Sequence, residues 1–376
     1  MASFQGNVGD VASHRAFRTW FESLFPNLEI QWLDIEIRNF YRDTDLAWEI
    51  FDGAVSRSNC LIIGGGNFLE LWPENSPTGT SLPFSRKEME DLSVPIFINS
   101  VGVDDGQGVG QSASQNFAEF INSFVDNNRN LLSVRNDGSL SVMQRFLNPE
   151  NWNKCFELPD HAFFTNWTSE VTNFQKTRIT IGINLAIDMP EIRFSKYNQD
   201  AFEFLSQLAL TLDRLLDFHD ILDLRFIPHM YSDMKAISFI LGELKDTHRR
   251  ERATVTTYDT RANSQEFLEA YSQLDGVVGM RFHSHVFGIS KGIPVFSLNS
   301  YPQIEKLLNN IGLESIKSYD FQDHHEVLAD QLLSFVEEIV KKSVRIEQFE
   351  EFHNFMRLNR EIAGTKIQKW LDSEVK

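Results

Sequence analysis

The segment Gly279-Met280-Arg281-Phe282-His283-Ser284-His285 sets an arginine and two histidines between an apolar run and a stretch of helical periodicity. The helix dipole disfavours a cation at that end, so an arginine there points to an anion that it and the unpaired amides bind together. His283 is suited to hand a proton to such a ligand; a core histidine bonded to a carbonyl is the other reading. Three further junctions have similar character. Gly6-Asn7-Val8-Gly9-Asp10 reads as a tight turn before a helix beginning near Val11, with Asp10 projecting from the turn or capping that helix. Residues 61–67, LIIGGGN, run a buried strand into Gly64, Gly65 and Gly66, which either bring backbone amides to a charged ligand or simply turn sharply. In Ser133-Val134-Arg135-Asn136-Asp137, Arg135 is an anion receptor or half of an ion pair, and Asp137 suits the cap of the next helix. His229, in Phe226-Ile227-Pro228-His229, ends a strand at the same kind of sheet edge.

These histidines also admit a metal reading, through His229, His283 and His285 or through Asp323-His324-His325. No HExxH or paired-cysteine spacing accompanies them, and the second cluster lies where a helix should start, so no metal is expected.

The elements that hold these junctions are short Ile- and Val-rich runs alternating with amphipathic stretches, the pattern of parallel sheets covered by helices. Strands are expected at 29–33, 60–63, 95–101, 130–134 and 155–158, and in a second series at 179–184, 221–227, 253–257, 276–278 and 294–298. Helices separate them, such as 199–218, and an aperiodic polar stretch, 165–176, divides the two series. Beyond about His324 the pattern is almost purely helical. Phe117, Phe120 and Phe124 recur at the spacing of one helix face, which assigns them to a core.

A length of 376 residues is that of two ordinary domains, and 42% apolar residues supply sizeable cores. The excess of 53 acidic over 35 basic residues gives a net charge of −18, which repels polyphosphate chains and makes nucleic acid a poor partner. Cys60 and Cys155 are too few for a disulfide framework and point to buried thiols in a reducing compartment. With no basic, apolar leader and no apolar run long enough to span a bilayer, a soluble cytoplasmic protein is expected, in which the sequon Asn166-Trp167-Thr168 carries no meaning.

In their order and spacing, GNVGD, GGGN, SVRND, FIPH and GMRFHSHVFGISKGIPVFSL resemble the polysaccharide pyruvyl transferase family over residues 5–312. The resemblance implies a GT-B-like α/β fold, two tandem doubly wound Rossmann-like domains facing a cleft. Residues 1–170 would form the acceptor side, 177–323 the donor side, and 324–376 a helical tail packing back across both. It also implies phosphoenolpyruvate as donor, no cofactor, and transfer of a pyruvyl group to hydroxyls of a sugar in a glycan or glycan precursor, with release of phosphate. By the family's motifs Arg135, Arg281, Ser284 and His285 would bind the donor, His283 would be the acid toward it, and Asp10 the base or orienter of the acceptor hydroxyl. Asn7, Gly65, Gly66, Asn67 and His229 are further cleft candidates. So is Trp72, in the proline-bearing loop 71–84, which either offers a stacking face to the acceptor sugar or packs that loop down.

Only five residues precede GNVGD, so a short edge-like strand or a truncated start is expected there. Two other functions compete with pyruvyl transfer. One is a GT-B glycosyltransferase or sugar-nucleotide epimerase in which Arg281 would hold a diphosphate, and the other is a non-catalytic sugar-binding module. A lipid-linked acceptor would need only peripheral contact with a membrane, which the net charge of −18 does not favour.

Overall fold

The computed structural model describes residues 1–41, 44–165, 177–258, 264–313, 316–341 and 347–374. The sequon at 166–168 lies outside them. Two compact units divide the chain: Met1–Phe4, Ala12–His161 and His353–Lys376 form the first, and Gln5–Val11 with Ala162–Phe352 the second. Residues 5–11 and the tail are thus distributed differently from the expected boundaries at 170, 177 and 323.

The strands of the first unit are β1 (Leu61–Gly64), β2 (Leu69–Glu70), β3 (Ile96–Val101), β4 (Val103–Asp104), β5 (Leu131–Val134) and β6 (Phe156–Glu157). A parallel sheet runs β1-β3-β5-β6, and β2 pairs with β4 in a separate short ladder. Every residue of β3 is buried, as a parallel strand covered on both faces requires. Residues 1–3 lie beside β1, where Gly64 N–H donates to Met1 O at 3.1 Å, but in place of the expected short strand there is only the isolated bridge Ala2↔Glu36. The strand expected at 29–33 does not form either. Side chains explain that difference: Trp32 donates to Glu22 at 2.8 Å and Arg18 pairs with Asp34, tying this segment to the first helix and not to a sheet edge.

Phe117, Phe120 and Phe124 are all buried along the helix Ala113–Asp126, the face their spacing predicts. A second apolar cluster joins Phe17 and Phe21 of the helix Val8–Leu24, and Phe25 just after it, to Phe97, Leu158, Ile367, Trp370 and Leu371. The last helix, Glu347–Glu374, therefore completes the first unit's core from His353 onward. The preceding helix, His325–Val340, buries Leu328, Leu332 and Phe335 in the core of the second unit. Both cysteines are free, Cys155 buried and Cys60 only half-buried. Among the described residues no helix is long and apolar enough to cross a membrane.

The second unit holds β7 (Ile179–Asn184), β8 (Leu222–Phe226), β9 (Ala253–Val255), β10 (Gly276–Gly279), β11 (Val295–Asn299) and β12 (Ser318–Asp320). All are parallel, in the order β12-β11-β10-β7-β8-β9. Counted along the chain this is the Rossmann order 3-2-1-4-5-6, whose direction reverses between β7 and β10; ligands of open α/β sheets bind outside the carboxyl ends at that reversal. The segments that leave those two ends are Leu185 to Met189 and Met280 to His285.

Candidate active site

Asn184, the last residue of β7, fastens the reversal point. Its Nδ2 donates to Ile227 O at 2.9 Å and its Oδ1 accepts from Arg281 N at 3.0 Å, joining the ends of β7, β8 and β10. Arg281 is the N-cap residue of the helix Phe282–Lys291, in extended backbone, as its sequence position predicts. The anion that this position calls for is supplied by the chain. Asp233, wholly buried, accepts from Arg281 Nε at 2.9 and 3.0 Å and also pairs with Nη2. Asp188, on the segment leaving β7, accepts from Nη2 at 3.0 Å and Nη1 at 3.3 Å. Burial alone would favour loss of the Arg281 proton, but Asp233 and Asp188 outweigh it and hold the guanidinium above the ordinary arginine range.

His283 follows within the first turn of that helix, and its ring lies on Gly9. A Cβ at residue 9 would come within 2.2 Å of the ring's Cγ, so only glycine permits this approach. The ring's Nδ1 is 4.0 Å from Asp10 Oδ1, with both side chains largely buried. The helix bearing Asp10 starts at Val8, three residues earlier than expected, because Asn7 caps it: Asn7 Oδ1 accepts from Gly9 N at 3.1 Å. Asp10 thus stands inside the first turn, beside His283, and does not serve as the cap.

Ser284, His285 and His229 are placed behind this pair. Ser284 Oγ donates to Arg281 O at 2.6 Å. His285 is fully buried, with Nδ1 2.8 Å from the same carbonyl and Nε2 2.8 Å from Ser297 Oγ; burial lowers its pKa to about 4, so the ring is neutral and Nδ1–H is the donor to the carbonyl. Both side chains hold the Arg281 turn. His229 is also fully buried, its Nε2 2.8 Å from the Tyr271 hydroxyl, and desolvation holds its pKa well below the usual histidine range. No three His, Cys, Asp or Glu side chains among the described residues come together in a metal-binding group. His324 takes the cap position of its helix without a side-chain capping bond.

The other candidates belong to the first unit. Arg135 has the ion-pair arrangement: it contacts Asp137 Oδ2 at 2.9 Å and Asp160 Oδ2 at 3.6 Å, and donates to Asn67 Oδ1 at 3.4 Å. A Cβ on Gly102 would lie 2.2 Å from Asn67 Oδ1 and 2.4 Å from Arg135 Nη2, so glycine is what lets these two meet. Gly65 takes φ 80° in the turn after β1, followed by Gly66. Asn67 Nδ2 donates to Asp104 at 3.0 Å and to Glu70 at 3.4 Å, two carboxylates paired in register across β2 and β4. Trp72 is 45% exposed. Loop 71–84 is packed down instead by Leu71, Leu82 and Phe84, all buried.

Burial, reinforced by Asp104, pushes Glu70 up to about 7. Folding therefore keeps on Glu70 a proton that the unfolded chain releases near the ordinary value. This contribution to stability is fully present below about pH 4.3 and is lost as the pH rises through about 7, in total roughly 3 kcal/mol. Glu70→Gln should flatten the fall in urea midpoint between pH 5 and 7; a variant with the wild-type slope contradicts this.

Asn184, Asp188, Arg193, Asp233, Glu70 and Asp104 were missed in the sequence. Asp188 and Asp233 follow strand ends just as the recognised motifs do, but a lone aspartate in IDMP or YSDM gives no sign of which arginine it will meet.

The family model for polysaccharide pyruvyl transferase matches residues 7–300 of this chain, which takes in every motif above except Gly6 of the first. The chain belongs to that family. None of the curated proteins matches it. Among solved structures, WaaG, a glycosyltransferase involved in lipopolysaccharide biosynthesis, is 10% identical at a TM-score of 0.52, over 97% of this chain and 97% of that one. UDP-GlcNAc 2-epimerase from Methanocaldococcus jannaschii is 9% identical at 0.50, over 88% of each chain. The accessory secretory protein 1, 2 and 3 structure of Streptococcus pneumoniae is 15% identical at 0.48; it covers 88% of this chain, which spans only 57% of that neighbour's length. The fold is that of GT-B glycosyltransferases and epimerases.

Proposed function

We propose that the protein transfers the pyruvyl group of phosphoenolpyruvate to two hydroxyls of a sugar in a glycan or glycan precursor, forming a cyclic ketal and releasing inorganic phosphate. The observation that carries this reading is the His283 ring seated on Gly9 beside Asp10, two family motifs meeting within 4.0 Å.

The chemistry needs a proton on the donor's methylene carbon, attack by one hydroxyl oxygen on the adjacent carbon, closure by a second hydroxyl, and cleavage of the carbon–oxygen bond to phosphate. Of the two hydroxyl protons displaced, one is balanced by the new methyl group and the other leaves on phosphate. His283 is the acid toward the methylene carbon, and Asp10 orients or deprotonates the attacking hydroxyl. Arg281 and Arg135 supply guanidinium charge for the donor's carboxylate and phosphate, and no metal enters this reading. Ser284 and His285 position Arg281 through its carbonyl. Trp72, half-exposed, offers its face to the acceptor sugar.

Calorimetric titration with phosphoenolpyruvate, followed by phosphate release across a panel of sugars, tests the reading. Saturable binding that weakens in Arg281→Lys, which keeps charge but loses the planar fork, is expected. Binding of nucleotide-sugars but not of phosphoenolpyruvate would establish instead the rival that the GT-B fold accommodates. Gly9→Ala gives a sharper check: its methyl displaces the His283 ring, and turnover should fall about 100-fold at unchanged donor affinity. Wild-type turnover in that variant would detach His283 from the chemistry.

A further inference from the structure

A guanidinium has five N–H donors in a rigid fork, and gripping a carboxylate or phosphate through two parallel bonds uses one edge of that fork. In Arg281 the Nε edge lies against Asp233, which is completely buried. The Nη1–Nη2 edge, the one left for a ligand, holds Asp188 in just the bidentate manner a ligand would adopt. One Nη1 hydrogen remains, too few for a fork.

Asp188 meets a second guanidinium as well. Arg193, nearly buried, has its Nε 3.4 Å from Asp188 Oδ1 and donates to the Asp188 carbonyl at 3.0 Å, while its Nη1 donates to Ser300 Oγ at 3.1 Å. Unlike Asp233, the Asp188 side chain is 24% exposed. It leaves β7 at the point where the strand order reverses, where open sheets of this kind take their ligands. Met189, next in the chain, stands at φ 53°, a conformation unfavourable for a residue with a side chain. Burial would raise the Asp188 pKa, but Arg281 and Arg193 together hold it below the ordinary range, so the group between them is a carboxylate anion.

We propose that Arg281 and Arg193 form an oxyanion seat in which the Asp188 carboxylate is an exchangeable occupant, and that an anionic group of the donor takes this seat when Asp188 moves out. Arg193 is then a third donor-binding arginine, beside Arg281 and Arg135. Identifying the incoming oxyanion as the donor's carboxylate or phosphate rests on the pyruvyl-transfer reading; the seat itself does not.

The test is thermal unfolding of the full chain in a buffer without coordinating anions, titrated with inorganic phosphate and separately with acetate. Asp188→Ala should melt below wild type and be restored by several degrees by one of the anions, while wild type responds much less. Asp188→Ala/Arg193→Ala should lose that restoration. Restoration by phosphate at lower concentration assigns the seat to a phosphoryl group, and preference for acetate assigns it to a carboxylate. Asp188→Asn, closer in shape, should gain the same anion response and serves if the alanine variant folds poorly. Equal anion responses in wild type and both Asp188 variants would overturn the seat. Calorimetry with phosphoenolpyruvate separates the two ideas. An anion response in the Asp188 variants, with no form binding phosphoenolpyruvate, keeps the seat and removes the pyruvyl donor. Equal phosphoenolpyruvate affinity in wild type and Asp188→Asn, without an anion response, removes the seat and keeps the donor.

Discussion

Replacing Arg281 by alanine should lower the unfolding free energy by about 3–5 kcal/mol, because it leaves the wholly buried Asp233 carboxylate without its cation. Urea denaturation shows this as a lowered midpoint at an unchanged slope. The partner carboxylate identifies the cause. Arg281→Ala/Asp233→Ala should recover part of the loss, since the stranded charge is then gone as well. A single variant within about 1 kcal/mol of wild type would mean that the pair contributes no more than an exposed one. The consequence for function is that Arg281 is a structural cation before it meets any ligand, so loss of activity in the alanine variant alone would not show donor contact. For that reason the donor test uses lysine at this position.

His283→Gln should leave donor affinity and thermal stability near wild type and reduce phosphate release by about 100- to 10,000-fold, the range that a positioned acid contributes. Asp10→Asn should act in the same direction. With the two side chains 4.0 Å apart and serving one reaction centre, the double variant should be scarcely worse than the poorer single, as residues that act as a unit are strongly non-additive. Losses that multiply would show that they act in separate steps. Wild-type rates in both single variants would remove the assignment.

The α/β class, nine of the twelve described strands and the tandem order were legible in the sequence, because buried parallel strands are short, apolar and β-branched; the short strands β2, β4 and β12 lack that character and were missed. Segment 29–33 failed that rule: Trp32 looks like a strand residue, but it and the adjoining Asp34 bond to Glu22 and Arg18 of the preceding helix, a contact no local pattern encodes. The motifs located Arg281, His283 and Asp10 correctly on their junctions. What they hid was neutralisation, since Asp188 and Asp233 lie many residues away and are selected by the strand order, not by spacing. The same holds for Glu70 and Asp104, which meet only because β2 and β4 pair in register. The tail read as one helical appendage, yet periodicity cannot say which core an amphipathic helix will join, and its two helices join different ones.

That last division fixes an order of events during synthesis. Ala363, Ile367, Trp370 and Leu371 complete a cluster whose other buried members, from Phe17 to Leu158, all precede residue 162. The whole of Ala162–Phe352 is made in between, which at about 5–20 residues per second is a wait of roughly 10 to 40 s. During that interval the apolar face of the helix Val8–Leu24 has no native cover from the end of the chain, and on a nascent chain such a face is a binding site for chaperones. Synthesis arrested before residue 353 would therefore leave the first unit's core without its last helix, whatever the state of the second unit.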